Sequence, residues 1–176
     1  LYELLENLLD WSRIQGGMMK FYPQKVNIRD VLRRNLALFE PNARQKQIIL
    51  KSSIQETMFA YVDEKMVDAI VRNLISNALK FTPTNGRIEV NASQNEEFLK
   101  VSVSDTGIGV SKEDLPKLFR IDEKYRDSGT EGEMGTGLGL ILCKELIEKS
   151  GGQIWAESEI GKGSTFIFTL PRKLLE

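Results

Sequence analysis

Asn73, Asn77 and Lys80 stand four and three residues apart in a run whose other members are mostly apolar. On a helix turning about 100° per residue, with Asn73 at 0°, Asn77 falls at about 40° and Lys80 at about −20°. The three share one narrow face beside Val67, Ile70, Val71, Leu74 and Ala78, so they lie at the edge of a core. Amide oxygens are hard, neutral ligands suited to Mg2+, which keeps waters and takes its remaining ligands from phosphates. A lysine one turn on can neutralise phosphate charge. Asp105 follows an alternating run and precedes Gly107 and Gly109. Glycines there permit a positive φ and close approach to the backbone, and the carboxylate can accept from an exocyclic amine such as adenine's. Gly135, Gly137 and Gly139 precede an apolar helical run, and N–H groups at a helix start bind phosphate. Singly, these motifs are a solvated helix face, a turn and a helix start. Together they offer what a magnesium nucleotide requires.

Other chemistries are excluded by composition. The 176 residues contain no histidine, which removes Ser-His-Asp and Cys-His nucleophiles and the usual His-bearing zinc sites. Cys143 is the single cysteine, so no disulfide framework exists and a reducing compartment is expected. With 24 basic and 25 acidic residues the net charge is −1, and no nucleic-acid footprint is expected. No apolar run approaches the ~20 residues of a membrane span. Gly135, Gly137 and Gly139 lack the later glycine and preceding strand of a dinucleotide fingerprint. Gly161 and Lys162 are followed by Gly163, so there is no Walker A loop. The chain opens on Leu1 in mid-helix pattern rather than on methionine, and a fragment of a longer protein is expected.

The elements that must position these groups read as a mixed α/β domain from Lys25 onward. Leu1, Leu4, Leu5, Leu8, Leu9, Trp11 and Ile14 first mark an amphipathic helix over 1–15, ended by Gly16 and Gly17. Fifteen residues need a partner, which we take to be a helical bundle or dimer stem rather than this domain's own core. Val26 and Ile28 suggest a strand, followed by a helix from near Asp30 that Pro41 should kink or interrupt. Strands are expected at 48–50 and 59–62, then a helix capped by Asp63 and running to about Lys80. Two antiparallel strands around 88–92 and 99–103 join through Asn95 and Glu96. A short helix over 111–118, a charged irregular segment over 120–134, a helix over 137–149 and strands at 153–158 and 164–170 complete the pattern.

In order and spacing, these elements resemble the catalytic ATP-binding domain of bacterial sensor histidine kinases, within the Bergerat-fold ATPase superfamily. Residues 73–80 match its N box, 105–109 its G1 box and 135–139 its G2 box; Leu118, Phe119 and Arg120 match part of the F box. Residues 163–171 match the closing strand. The resemblance implies a two-layer α/β sandwich, with a mixed sheet covered on one face by helices and nucleotide between the helices and a lid over about 120–135. It implies Asn77 as the Mg2+ ligand, Asn73 as a holder of the triphosphate or its metal, and Lys80 as a phosphate contact. Asp105, assisted by Thr165 through water, would bond the adenine amine, and Phe81 would pack beside the base. Gly107 and Gly109 belong to the base-binding turn; Gly135, Thr136, Gly137, Leu138 and Gly139 close on phosphate. The lid cation stays open among Arg120, Lys124 and Arg126.

Hydrolysing members of the superfamily place a glutamate at the position of Asn73. An amide cannot act as general base, which suits transfer to a protein nucleophile. In this family that nucleophile is a histidine on a helical hairpin; residues 1–17 resemble the end of its second helix and 18–176 the catalytic domain. The histidine-bearing helix is missing, so autophosphorylation by this chain alone is not expected. The implied partners are ATP, that hairpin of the same protein, a response-regulator receiver domain and a second copy joined through the N-terminal helix. The implied location is cytoplasmic, the parent being a candidate for anchoring in the bacterial inner membrane. An anti-sigma-type serine kinase and a nucleotide-gated binding module of the same fold are the alternatives. The F box lacks its usual second aromatic.

Overall fold

The structure is a computed structural model, described here for residues 12, 16, 19–54, 57–121, 129–130 and 137–174. Strand β1 (Gln24–Asn27) leads into helix α1 (Ile28–Gln45), followed by β2 (Ile49–Ser52), β3 (Phe59–Val62) and helix α2 (Glu64–Phe81). Strands β4 (Arg87–Gln94) and β5 (Phe98–Asp105) come next, then helix α3 (Gly139–Lys149) and strands β6 (Ile154–Glu159) and β7 (Gly163–Pro171). Five strands form a sheet in the order β2-β4-β5-β7-β6, while β1 and β3 pair separately. The β2–β4 pairing is parallel and the other pairings of that sheet are antiparallel, so the sheet is mixed as expected.

Alternation fixes which face of the sheet is covered. In β5, Leu99, Val101, Val103 and Asp105 are buried. The intervening Lys100 is exposed, and Ser102 and Ser104 are half-buried. Helix α2 buries Val67, Ile70, Val71, Leu74, Ile75 and Ala78, and these join Ile88, Val90, Val101 and Phe168 in one core. At about 25 cal/mol per Å2, such side chains contribute roughly 1.5–3 kcal/mol each. Helices α1 and α3 flank α2 on the same side. The result is the two-layer α/β sandwich.

Local expectations for α1 and for 111–118 are corrected. Helix α1 starts at Ile28 and runs through Pro41 to Gln45 without interruption. Pro41 forfeits one backbone bond, but burial of Ala43 and the Ile48 N–H bond to the Ala43 carbonyl hold the final turn in place. The helix expected over 111–118 reduces to turns and a short 3-10 helix at Leu115–Lys117, with Pro116 inside it. The helix expected over 1–15 lies outside the described residues, apart from Ser12.

Asp63 caps α2 as anticipated. Its carboxylate accepts from the Lys65 and Met66 N–H groups and also from Tyr22 N–H, 3.2 Å away. Asp63→Ala should therefore cost about 1–2 kcal/mol, read by urea unfolding. An unchanged midpoint would show that the cap contributes nothing.

Candidate functional site

Helix α2 carries Asn73, Asn77 and Lys80 half-buried, along the border between its buried face and solvent. The Lys80 ammonium sits 4.9 Å over the ring of Phe81, itself half-buried at the helix end. Helix α3 meets this face at its first residue. A Cβ on Gly139 would lie 2.3 Å from Asn73 Oδ1, so the start of α3 rests on that amide and a larger residue there would displace the Asn73 side chain. Gly137 is exposed with φ +72°, and Leu138 at the helix N-cap supplies no side-chain cap. Backbone N–H groups at such a start satisfy anions well. Thus Asn73 and residues 137–139, more than sixty positions apart, form one wall.

The second wall ends β5. Asp105 follows Val103 on the helix-facing side of the sheet and is 8% exposed. Its Oδ1 accepts from Gly107 N–H at 2.8 Å and Ser164 N–H at 3.3 Å. Both hydrogen bonds found among the described residues end on Oδ1, which leaves Oδ2 for a donor from a ligand. The turn after Asp105 is pressed under α2: Ile108 N–H donates to the Phe81 carbonyl, and a Cβ on Gly107 would stand 2.5 Å from that oxygen. Gly109, at φ +72°, approaches the Glu159 carbonyl so closely that a Cβ would fall 2.1 Å from it. Val110 N–H donates to Ser158 Oγ and Gly161 N–H to the Ile108 carbonyl, tying the turn to the β6–β7 hairpin.

Burial pushes the Asp105 carboxyl up to about 6, despite the two N–H groups that favour its charge. An acid so displaced is a candidate for function.

Thr165 is corrected. Its hydroxyl donates to Ser104 Oγ at 3.0 Å, and the two residues are register partners. Successive side chains on a strand point to opposite faces, so Thr165 and Ser104 lie on the side away from Asp105. Ser164 takes the expected place: it is the register partner of Asp105 and hydrogen-bonds through its hydroxyl to Ser158. Counting strand parity from Asp105 would have found it. Leu118 is buried and Phe119 packs edge-on against Phe166, with centroids 6.4 Å apart. Arg120 is exposed just beyond that contact. Lys124, Arg126, Gly135 and Thr136 lie outside the described residues.

Residues 62–174 match the family of histidine kinase-, DNA gyrase B- and HSP90-like ATPases. The chain belongs to that family. Among curated relatives, it is 33% identical over 177 residues to the sensor histidine kinase WalK of Bacillus subtilis (strain 168), covering 98% of this chain and 29% of WalK. The chain thus spans under a third of the length of that relative. The catalytic domain of histidine kinase ThkA superposes with TM-score 0.73 at 27% identity, covering 88% of this chain and 98% of that domain. ThkA in complex with response regulator protein TrrA gives 0.75 at 25% identity, covering 98% and 49%. Full-length ShkA in complex with AMPPNP gives 0.82 at 27% identity, covering 99% and 36%. Within its family, then, this chain is an ATP-binding catalytic domain of the sensor histidine kinase type. No helix among the described residues is long and apolar enough to cross a membrane.

The Asp105 carboxyl titrates higher in the folded state than its ordinary value of about 3.9. Its contribution to stability is therefore present below about pH 4 and lost as pH rises through 6. Relative to Asp105→Asn, the wild type should lose on the order of 3 kcal/mol between those limits and pH 8. Chemical unfolding across pH checks this, and parallel curves for the two proteins would refute it.

Proposed function

We propose that this chain is the catalytic module of a two-component sensor histidine kinase, which transfers the γ-phosphate of ATP to a histidine on a helical hairpin outside this sequence. The observation that carries the reading is the seating of Gly139 on Asn73, since it joins the phosphate-binding turn to the amide-bearing helix. The donor set also fits a magnesium nucleotide. Two amide oxygens and an ammonium lie on one helix, the start of α3 rests on one of the amides, and a buried acid lies near the helix end.

On this reading Asp105 Oδ2 accepts from the adenine amine, with Ser164 holding the acid in place and Phe81 beside the base. Gly107 and Gly109 let the base approach the turn. Residues 135–139 (Gly135, Thr136, Gly137, Leu138 and Gly139) close on the phosphates, Lys80 offsets their charge, and Asn73 orients the triphosphate. Asn77 would hold Mg2+, whose charge stabilises the transferring phosphoryl group when bound. Arg120 or Lys124 supplies a further cation. In the transfer the histidine nitrogen bonds to the γ-phosphorus as the bond to the ADP oxygen breaks. No side chain here need take a proton from water, and the Asn73 amide cannot, so catalysis rests on positioning and charge.

Residues 1–17 would then end the hairpin's second helix and 18–176 form the catalytic domain. The partners would be that hairpin, a response-regulator receiver domain and, through the N-terminal helix, a second copy. The module would work in the cytoplasm.

Supplied with Mg-ATP and a separate protein bearing the hairpin histidine, the chain should leave acid-labile, base-stable label on the acceptor. Acid-stable label would indicate a serine kinase, and absence of label despite ATP binding a signalling module without catalysis; either overturns the proposal. Asp105→Asn should weaken ATP binding about ten- to hundredfold, while Asn77→Ala should chiefly remove its Mg2+ dependence.

The adenine contact has a pH signature. An amine donating to the ionised acid must first displace the proton that Asp105 holds below about pH 6. ATP affinity should therefore fall below that point, approaching tenfold per pH unit. Calorimetry showing a flat profile down to about pH 5 would show that the base lies elsewhere.

A further inference from the structure

The C-terminal end of α2 is bound by two residues that the nucleotide reading does not use. Lys46, just beyond α1, points its ammonium at this end, donating to the Leu79 carbonyl at 2.9 Å and the Lys80 carbonyl at 3.4 Å. A cation is favoured there, where the last carbonyls of a helix lack intrahelical partners. The same ammonium donates to Thr130 Oγ1 at 2.6 Å. Thr130 in turn donates its N–H to the Lys80 carbonyl at 3.1 Å, and its hydroxyl lies 3.1 Å from that oxygen and 3.3 Å from the Thr82 carbonyl. The hydroxyl thus accepts from Lys46 and donates to the helix end, using both of its capacities. Gly129, beside it, is buried.

Thr130 stands eighty-four positions from Lys46 in sequence. It lies between Arg120 and Gly137 in sequence, and its hydrogen bonds among the described residues run to Lys46, Lys80 and Thr82. Its attachment is to the turn of α2 that carries Lys80 and Phe81, and the Phe81 carbonyl also receives Ile108 N–H from the turn after Asp105. Three segments that contribute to the site therefore converge on one helix end, and Lys46 bridges two of them.

We propose that Lys46 is a positioning residue for the nucleotide, holding Thr130 against the end of the helix that bears Asn73, Asn77 and Lys80. The inference rests on the ATP reading of that helix. Lys46 acts through Thr130 and the Lys80 turn of α2, the two groups that its ammonium joins. A residue that merely capped α2 would affect folding without singling out ATP.

The test uses the 176-residue chain with Mg-ATP and compares Lys46→Met, Lys46→Arg, Thr130→Val and Lys46→Met/Thr130→Val. Valine keeps the shape of Thr130 and leaves the Lys46 contacts to Leu79 and Lys80, so the nucleotide-free melting temperature should stay at the wild-type value. ATP affinity should nevertheless fall roughly five- to tenfold by calorimetry. Lys46→Met should weaken ATP by a similar factor, and the double variant by no more than the worse single one, because both remove the same link. Lys46→Arg should restore most of the affinity. If Thr130→Val binds ATP as the wild type does, or the two losses multiply, the link is not used and the proposal fails while the ATP site stands. A wild-type chain that binds no ATP overturns the site reading and this inference with it.

Discussion

The acid at the end of β5 constrains its whole neighbourhood. Asp105 continues the side of the strand occupied by Leu99, Val101 and Val103, where the period of two would place another apolar residue. A charge in that position is disfavoured by desolvation and tolerable only with hydrogen bonds. Two backbone N–H groups supply them, and each is within reach because a glycine removes an obstacle. Gly107 turns the chain under Phe81, and Gly163, at φ +111°, lets β7 approach until a Cβ would stand 1.9 Å from the Asp105 carbonyl. The turn after β5, the β6–β7 hairpin and the end of α2 are thus fitted around one carboxylate. Even so it remains poorly solvated, and a donor brought by a ligand is what would complete it.

Helix α2 connects that corner to the rest of the molecule. At its start, Asp63 binds Tyr22 N–H as well as the first turn, so the segment entering from the N-terminal side is tied to the helix cap. Its middle touches α3 through Asn73 and Gly139. Its end gathers Lys46, Thr130 and Ile108 on successive carbonyls. Helix α3 is held in the same way, because Lys149 near its C-terminus donates to the Met19 carbonyl. Both helices of the site are therefore secured at their far ends by residues 19–22.

Much of this could be read from the residues, for identifiable reasons. The face shared by Asn73, Asn77 and Lys80 follows from helical period alone, and the Asp63 cap from a short acid before an apolar run. Strand alternation located β4 and β5. What failed were features decided by contacts distant in sequence. Pro41 does not break α1, because burial of Ala43 holds the turn beyond it. The family resemblance names Thr165, whereas the register of β5 and β7 sets Ser164 beside Asp105. Lys46 carried no signal at all, since a lysine after a helix is ordinary and its partner lies far along the chain. Residues 111–118 looked helical from composition, yet Pro116 and the Ser111–Asp114 hydrogen bonds settle that stretch as turns.

The character of the chemistry follows from what stands beside the phosphate-binding turn. Asn73 meets Gly139 in contact distance, so whatever occupies this position faces the γ-phosphate end of a nucleotide held as proposed. A carboxylate there could draw a proton from water and direct it at phosphorus. An amide binds and orients but takes no proton. The nucleophile must then bring its own reactivity, as a neutral imidazole does, and this chain contains no histidine. A site built to hold charge and geometry, without a base, suits a nucleophile delivered by another segment.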